Sequence, residues 1–463
     1  MIKIHSLFLF ILILCGGVYA QEDSNLGYKI HFQLDNKSDS TYFLANYYTD
    51  KFFIVDTSVL NKGIITFQGQ DSLSQGIYIL ANQKKEKLLE FLVGQDQHFS
   101  IHLDQELNPA KAEINGSEEN TLFFNHLVKI NDSYTILNHY KPILEKLSDD
   151  SEDRIKITAM IDSVNQSLID FRKSIVQTKP DMLFSKILLA MQEPEIPENL
   201  KLDQEAQFRF YKSNFWSTFD LSDERLLYTP LLPRKLETYF TQMVLPIADT
   251  VILEIDKIML LAKGNQKMVD YLAWHFIAEY QTPKIMGLDK TFVYLADEYV
   301  AKDKLSSITP SMLEKIMERA NRMRLSLIGE KAPELWLIDT TGTFRSFREL
   351  DSEFTVLIFW DQTCSHCKKE METLNDLVNE NIHDIGVYAI NSTNDFEGWK
   401  HYLLEKNYPW IHVNGTKSIT ADFHDLFDIY SVPVIYLLDK SKTIIGKRIN
   451  ASQIKTLIEN YSK

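Results

Sequence analysis

Cysteine is scarce in this sequence: 463 residues carry three, Cys15, Cys364 and Cys367. That excludes a fold stapled by disulfides, which needs several pairs at wide spacing. It also argues against structural zinc, whose four ligands usually come from two CxxC or CxxH units, because only one such unit is present. His383, His401, His412 and His424 are scattered over different segments and do not supply the second half. Positive charge is in deficit too, with 49 Lys and Arg against 64 Asp and Glu and a formal charge of −15. Nucleic acid and anionic membranes are bound by clustered cations that release counterions, so neither is an expected partner, and the acidic residues read as a solvated surface. There is no internal repeat, no low-complexity stretch, and no GxSxG, HExxH, P-loop or GxGxxG pattern, so no second catalytic centre and no cofactor are implied.

Long apolar runs are missing as well. The run Leu7-Phe8-Leu9-Phe10-Ile11-Leu12-Ile13-Leu14 is shorter than the roughly 20 residues a membrane span requires. It follows Met1, Ile2 and Lys3 and leads into Gly16-Gly17-Val18-Tyr19-Ala20 before the polar Gln21. This order predicts a signal peptide cleaved after Ala20, a periplasmic destination, and no transmembrane span in the mature chain. A lipid anchor on Cys15 is the alternative, opposed by Leu14, where lipid-modification signals usually carry a small residue. Cleavage after Ala20 leaves Cys364 and Cys367 alone in the mature chain, which points to chemistry rather than to stapling.

What is present divides the chain into three. After the signal peptide (residues 1–20), residues 21–115 carry short strand-like segments at Tyr28–Phe32, Thr41–Ala45, Gly63–Phe67, Gly76–Leu80 and His98–Leu103, which predict a small all-β sandwich or barrel. Residues 116–327 turn to helical periodicity, with breaks expected at Pro142, Pro180, Pro194 to Pro197, Pro230, Pro233, Pro246, Pro283 and Pro310, and predict an all-α domain. In residues 328–463 apolar strands such as Thr355–Phe359 and Gly386–Ile390 alternate with helices, which predicts α/β. The charged cluster at 220–225 reads as a helix-start cap and salt-bridge group rather than a catalytic one.

The chemistry concentrates at Cys364-Ser365-His366-Cys367. Strand 355–360 runs through Asp361-Gln362-Thr363 into Cys364, and a helical stretch follows from Lys368. That order places Cys364 at a helix N-terminus, where free amides and the helix dipole stabilise a thiolate able to attack a disulfide. Cys367, one turn later, is in reach to resolve the mixed disulfide. A peroxidatic site does not fit, because Thr363 is adjacent to the cysteine instead of standing two residues removed.

Residues 329–463 resemble the TlpA/ResA-like branch of the thioredoxin superfamily. The resemblance is carried by Gly329-x-x-Ala332-Pro333, Asp339-Thr340-Thr341-Gly342, Phe359-Trp360-x-x-x-Cys364-x-x-Cys367-Lys368-Lys369-Glu370, and Ser431-Val432-Pro433-Val434. It implies a thioredoxin fold, thiol-disulfide exchange with protein substrates, an envelope redox partner, and a cis bond before Pro433 in a loop that lies against the CxxC and pairs with substrate backbone. It also implies that Glu370 supplies a proton acceptor, since Ile358 stands where thioredoxins bury an aspartate; a solvated helix glutamate is the alternative. Trp360 packs beside the site or is a plain core residue at a strand end. His366 favours the reduced form as an imidazolium, or is merely an exposed residue of the helix start, so the direction of electron flow stays open. Thr363 departs from the second tryptophan common in thioredoxins, which alters the surface beside the nucleophile.

The two preceding segments are similar to domains of unknown function found ahead of thioredoxin-like domains in exported proteins of Bacteroidetes-type bacteria, and selection or positioning of the substrate protein is the expected role. A non-enzymatic binding or assembly protein, with the thioredoxin fold as scaffold, is the rival reading.

Overall fold

The computed structural model describes residues 27–35 and 40–461. The signal peptide, its cleavage point and Cys15 lie outside the described residues. By contacts the chain forms two compact units: one extends to Pro194 and takes in Ser217–Phe219 and Arg225–Pro233, and the other comprises Glu195–Trp216, Asp220–Glu224 and Arg234–Lys463.

The first unit begins with β1 (Tyr28–Leu34), β2 (Thr41–Tyr48), β3 (Lys51–Val59), β4 (Ile64–Gly69), β5 (Gly76–Ala81), β6 (Lys87–Val93), β7 (His98–Leu103) and β8 (Glu113–Asn115). They form two four-stranded sheets, ordered β4-β1-β7-β8 and β3-β2-β5-β6. Alternation drives their packing: Ile30, Phe32 and Leu34 all point from β1 into one core with Tyr42, Leu44, Phe67, Leu80 and Phe91. The rings of Phe32 and Phe91, one from each sheet, meet at 5.1 Å. This is the expected β-sandwich. β3, β6 and β8 have no counterpart in the sequence reading. β3 is an edge strand whose Phe52, Phe53, Ile54 and Val55 are consecutive and exposed, so no in-out alternation marks it.

Helices follow in the same unit: α1 (Glu118–Leu144), α2 (Glu152–Thr178) and α3 (Leu183–Ala190). Ser117 and Ser151 cap the first two, each side chain accepting a backbone N–H three residues on. In the second unit come α4 (Gln204–Asn214), α5 (Leu231–Gln242), mostly in this unit, α6 (Ala248–Leu261), α7 (Gln266–Tyr280), α8 (Asp289–Leu295) and α9 (Pro310–Arg324). Val251, Ile255 and Ile258 on α6 and Met268, Leu272 and Phe276 on α7 recur at helical spacing and are buried. Two expected breaks are displaced. Pro142 sits inside the last turn of α1, and Pro233 lies in the first turn of α5, where the missing N–H has no intrahelical acceptor to lose. Pro310 is the first residue of α9 behind the Thr309 cap. At 220–225, Asp220 accepts from the Ser222 amide at 3.1 Å and Glu224 pairs with Lys267 at 3.0 Å, which is the cap and ion-pair cluster expected.

The C-terminal part of this unit contains β9 (Trp336–Asp339), β10 (Phe344–Ser346), β11 (Phe354–Trp360), α10 (Ser365–Asn379), β12 (Ile385–Asn391), α11 (Phe396–Lys406), β13 (Ile411–Ser418), α12 (Phe423–Leu426), β14 (Val434–Leu438), β15 (Ile444–Lys447) and α13 (Ala451–Tyr461). One mixed sheet runs β10-β9-β13-β12-β11-β14-β15. β11 is an interior strand, parallel to β12 and antiparallel to β14. Every residue of β11 is buried, with Val356, Ile358 and Trp360 in the core on one face and Leu357 and Phe359 in the core on the other. Cover on both faces is why this strand reads as an unbroken apolar run.

Candidate functional site

β11 delivers the chain to the site. Its last residue, Trp360, is followed by a turn that Asp361 closes: its carboxylate accepts from the Thr363 amide at 2.6 Å and from the Thr363 hydroxyl at 2.7 Å. The Asp361 carbonyl accepts from the Cys364 amide at 3.2 Å. Cys364 is left with extended dihedrals (φ −81°, ψ 118°) as the N-cap of α10. Its Sγ accepts the free Cys367 amide at 3.3 Å. A helix N-terminus presents unpaired donors and the positive end of the dipole, both of which favour negative charge on the capping atom.

The two thiols differ sharply. Cys364 is half-buried, whereas Cys367 is fully buried in the core with Trp360, Met371 and Leu374. Burial, and next the Cys364 sulfur beside it, push the Cys367 thiol up to about 12. One sulfur is thus open to a partner, and the other holds its proton.

Pro433 reaches the same end of the sheet by register. Val434 pairs with Phe359, so the residue before it falls level with the point where β11 hands over to the CxxC turn. The Val432–Pro433 bond is cis, and Val432 packs against both cores. Ser365 and His366 are exposed at the start of α10. Trp360 is fully buried, its ring 5.3 Å from that of Tyr402, and its indole N–H has no hydrogen-bond partner. Ile358 is fully buried in the same core face as Cys367. Glu370 is half-buried, and its Oε2 accepts the Ala451 amide at the start of α13 at 2.7 Å. Its carboxylate therefore ties α10 to the first turn of another helix, a contact the sequence pattern does not contain.

Sequence reasoning also missed the polar support behind the turn. Gln362 is buried and accepts from the Asn391 side chain at 2.8 Å; Asn391 in turn accepts from the Thr393 amide at 3.1 Å and from Asn414 at 3.2 Å. These amides come from the turn, the end of β12 and the middle of β13, so only the folded sheet brings them together.

A mixed sheet with a dithiol N-cap one turn after an interior strand defines a thioredoxin-fold thiol-disulfide oxidoreductase. The thioredoxin-like family matches residues 352–444, and a domain of unknown function, DUF4369, matches residues 28–123. Thiol-disulfide oxidoreductase ResA of Bacillus cereus is 25% identical over 137 residues, covering 29% of this chain and 76% of that protein. The crystal structure of a domain of a possible thiol-disulfide isomerase from Cytophaga hutchinsonii is 40% identical over 29% of this chain and 93% of its own, with a TM-score of 0.27. A thioredoxin-like protein from Bacteroides caccae is 18% identical over 58% of this chain and 98% of its own, with a TM-score of 0.46. The C-terminal domain belongs to the TlpA/ResA-like branch of the thioredoxin-like family.

Proposed function

We propose that this protein exchanges disulfides with protein partners in the cell envelope through Cys364 and Cys367. The observation that carries the proposal is the asymmetry of the pair: a half-buried sulfur capping a helix beside a fully buried thiol held well above its ordinary range. Cys364, as thiolate, attacks one sulfur of a substrate disulfide; that S–S bond breaks, a mixed disulfide forms, and the second substrate sulfur leaves as thiolate. Cys367 then gives up its proton, its sulfur attacks Cys364 Sγ, and the first substrate sulfur leaves. Two electrons have passed from the dithiol to the substrate, and the reverse sequence oxidises a substrate dithiol.

In this reading Pro433 shapes the substrate groove, Trp360 forms the floor behind the turn, and His366 tunes the potential from the exposed start of α10. Glu370 takes the Cys367 proton through a carboxylate oxygen not engaged with Ala451. The signal peptide is removed after Ala20, the working protein is periplasmic, and an envelope redox partner resets the pair. The segments 21–115 and 116–327 are domains that select or position the substrate, ahead of the redox domain at 328–463.

Cys367→Ser tests the order of attack. The variant should form mixed disulfides that it cannot resolve, so covalent partners accumulate on non-reducing gels. Adducts with Cys364→Ser and none with Cys367→Ser reverse the assignment. Adducts with neither leave the thioredoxin fold as a scaffold and end the enzymatic reading.

A further inference from the structure

Three residues, Asp361 to Thr363, join β11 to Cys364; Asp361 is half-buried, Thr363 is exposed and Gln362 is buried. Asn391, which ends β12 in register with Trp360, and the connection after it, residues 392–395, grip this turn. The Ser392 amide and hydroxyl donate to the Trp360 carbonyl at 2.9 and 3.2 Å, where the chain leaves β11. Asn391 Nδ2 donates to Gln362 Oε1 at 2.8 Å, and Gln362 Nε2 donates to the Asp395 carbonyl at 3.5 Å. Asn391 is in turn fixed from behind. Its Oδ1 accepts the Thr393 amide at 3.1 Å and Asn414 Nδ2 at 3.2 Å, and Asn414 Nδ2 also donates to the Thr393 carbonyl at 2.9 Å. Both asparagines are fully buried.

Amides in such a place add little to stability, because a buried hydrogen bond replaces one made with water and apolar side chains of the same shape fill the core nearly as well. What they add is direction: a satisfied polar network admits one arrangement, whereas apolar surfaces slide over one another. Direction matters at this turn. Cys364 Sγ caps α10 by accepting the Cys367 amide at 3.3 Å, and the pull of a helix N-terminus on negative charge fades within its first turn. A turn free to shift would carry the sulfur away from that end and lower the fraction present as thiolate, the reacting form. We infer that Asn391 is a positioning residue for the dithiol: through Gln362 it fixes the turn that sets Cys364 Sγ on the helix end. The inference rests on the proposed exchange chemistry, in which Cys364 is the attacking sulfur. Asn391 acts on that sulfur by way of Gln362, so replacing either residue removes the same restraint.

Alkylation of Cys364 by iodoacetamide in the reduced full chain, located by mass spectrometry, tests the inference. Gln362→Met and Asn391→Ala should each slow labelling at pH 7 by at least about threefold and move its pH profile upward. The double variant should stay within about twofold of the slower single one, because the two residues share one restraint. Thr416→Val removes a hydroxyl that donates to Asn414 at the far end of the network and should label at the parent rate. Should Asn391→Ala fail to fold, Gln362→Met decides alone, since it leaves the bonds among Asn391, Thr393 and Asn414 untouched. Labelling of Gln362→Met at the parent rate overturns the inference, as do slowdowns that multiply in the double variant or an equal slowdown in Thr416→Val. Oxidised glutathione separates this failure from that of the exchange reading. A parent that forms no mixed disulfide with it overturns both, whereas a parent that reacts and a Gln362→Met variant that matches it overturn the positioning role alone.

Discussion

At Cys367 the same burial that packs the sulfur among Trp360 and Met371 also keeps the thiol protonated. The thiol rises from 9.0 to about 12 in the folded protein, so the folded state binds the proton more tightly than the unfolded one. Its contribution to stability is complete below pH 9 and is lost as pH climbs toward 12. Urea titrations of the reduced protein between those limits should fall by up to about 1.4 kcal/mol per pH unit relative to Cys367→Ala. Parallel pH profiles for the two proteins would show that the thiol is not held. Glu370 permits a second residue-scale test. Glu370→Gln keeps an oxygen for the Ala451 amide and removes the charge, so it should cost well under the ~1 kcal/mol of a lost cap. The pH profile of Cys367 alkylation should nevertheless move; superimposable profiles would confine Glu370 to the helix tie.

Between elements, helix α9 holds the segment that leads to Pro433. Arg322 pairs with Asp425 at 2.9 Å and donates to the Tyr430 hydroxyl at 3.3 Å, while the Arg319 guanidinium lies 5.4 Å from the Tyr430 ring centroid. Tyr430 is 59% exposed and stands three residues before Pro433. If that loop carries the substrate, Arg322→Ala should raise KM for a protein disulfide several-fold, leave kcat within about twofold, and leave turnover of oxidised glutathione unchanged. The stability change should stay under about 1 kcal/mol, because the ion pair is partly exposed and screened. Equal losses on both substrates would place the effect at the dithiol instead. The order strand, CxxC and helix was legible at this scale because β11 is buried on both faces and α10 starts where its cap stands. β3 was not, because its run of exposed apolar residues follows neither period.

Across the whole second unit, the ion pair of Lys447 on β15 with Asp289 on α8 joins the helical segment to the thioredoxin sheet. Burial lowers the Lys447 ammonium, and Asp289 opposes that by stabilising its charge. Removing one partner strands a buried charge, so Asp289→Ala should cost about 3–5 kcal/mol. The paired change Asp289→Leu with Lys447→Met should recover most of it, because a buried ion pair gains little over apolar packing. Chemical denaturation of the three proteins reads both values. A single variant as stable as the parent would mean that water reaches Lys447.

By itself the sequence determined that β gives way to α and α to α/β, which cysteines stand together, and that a helix begins at them. Those properties rest on hydrophobic period, turn chemistry and capping, which act over a few residues. Only the tertiary structure decided that Gln362 meets Asn391, 29 positions on, that Glu370 meets Ala451, 81 positions on, and that Asp289 meets Lys447, 158 positions on. Each joins polar groups from separate elements inside a dry interior, where every donor must find an acceptor and only the packed fold dictates which one is near.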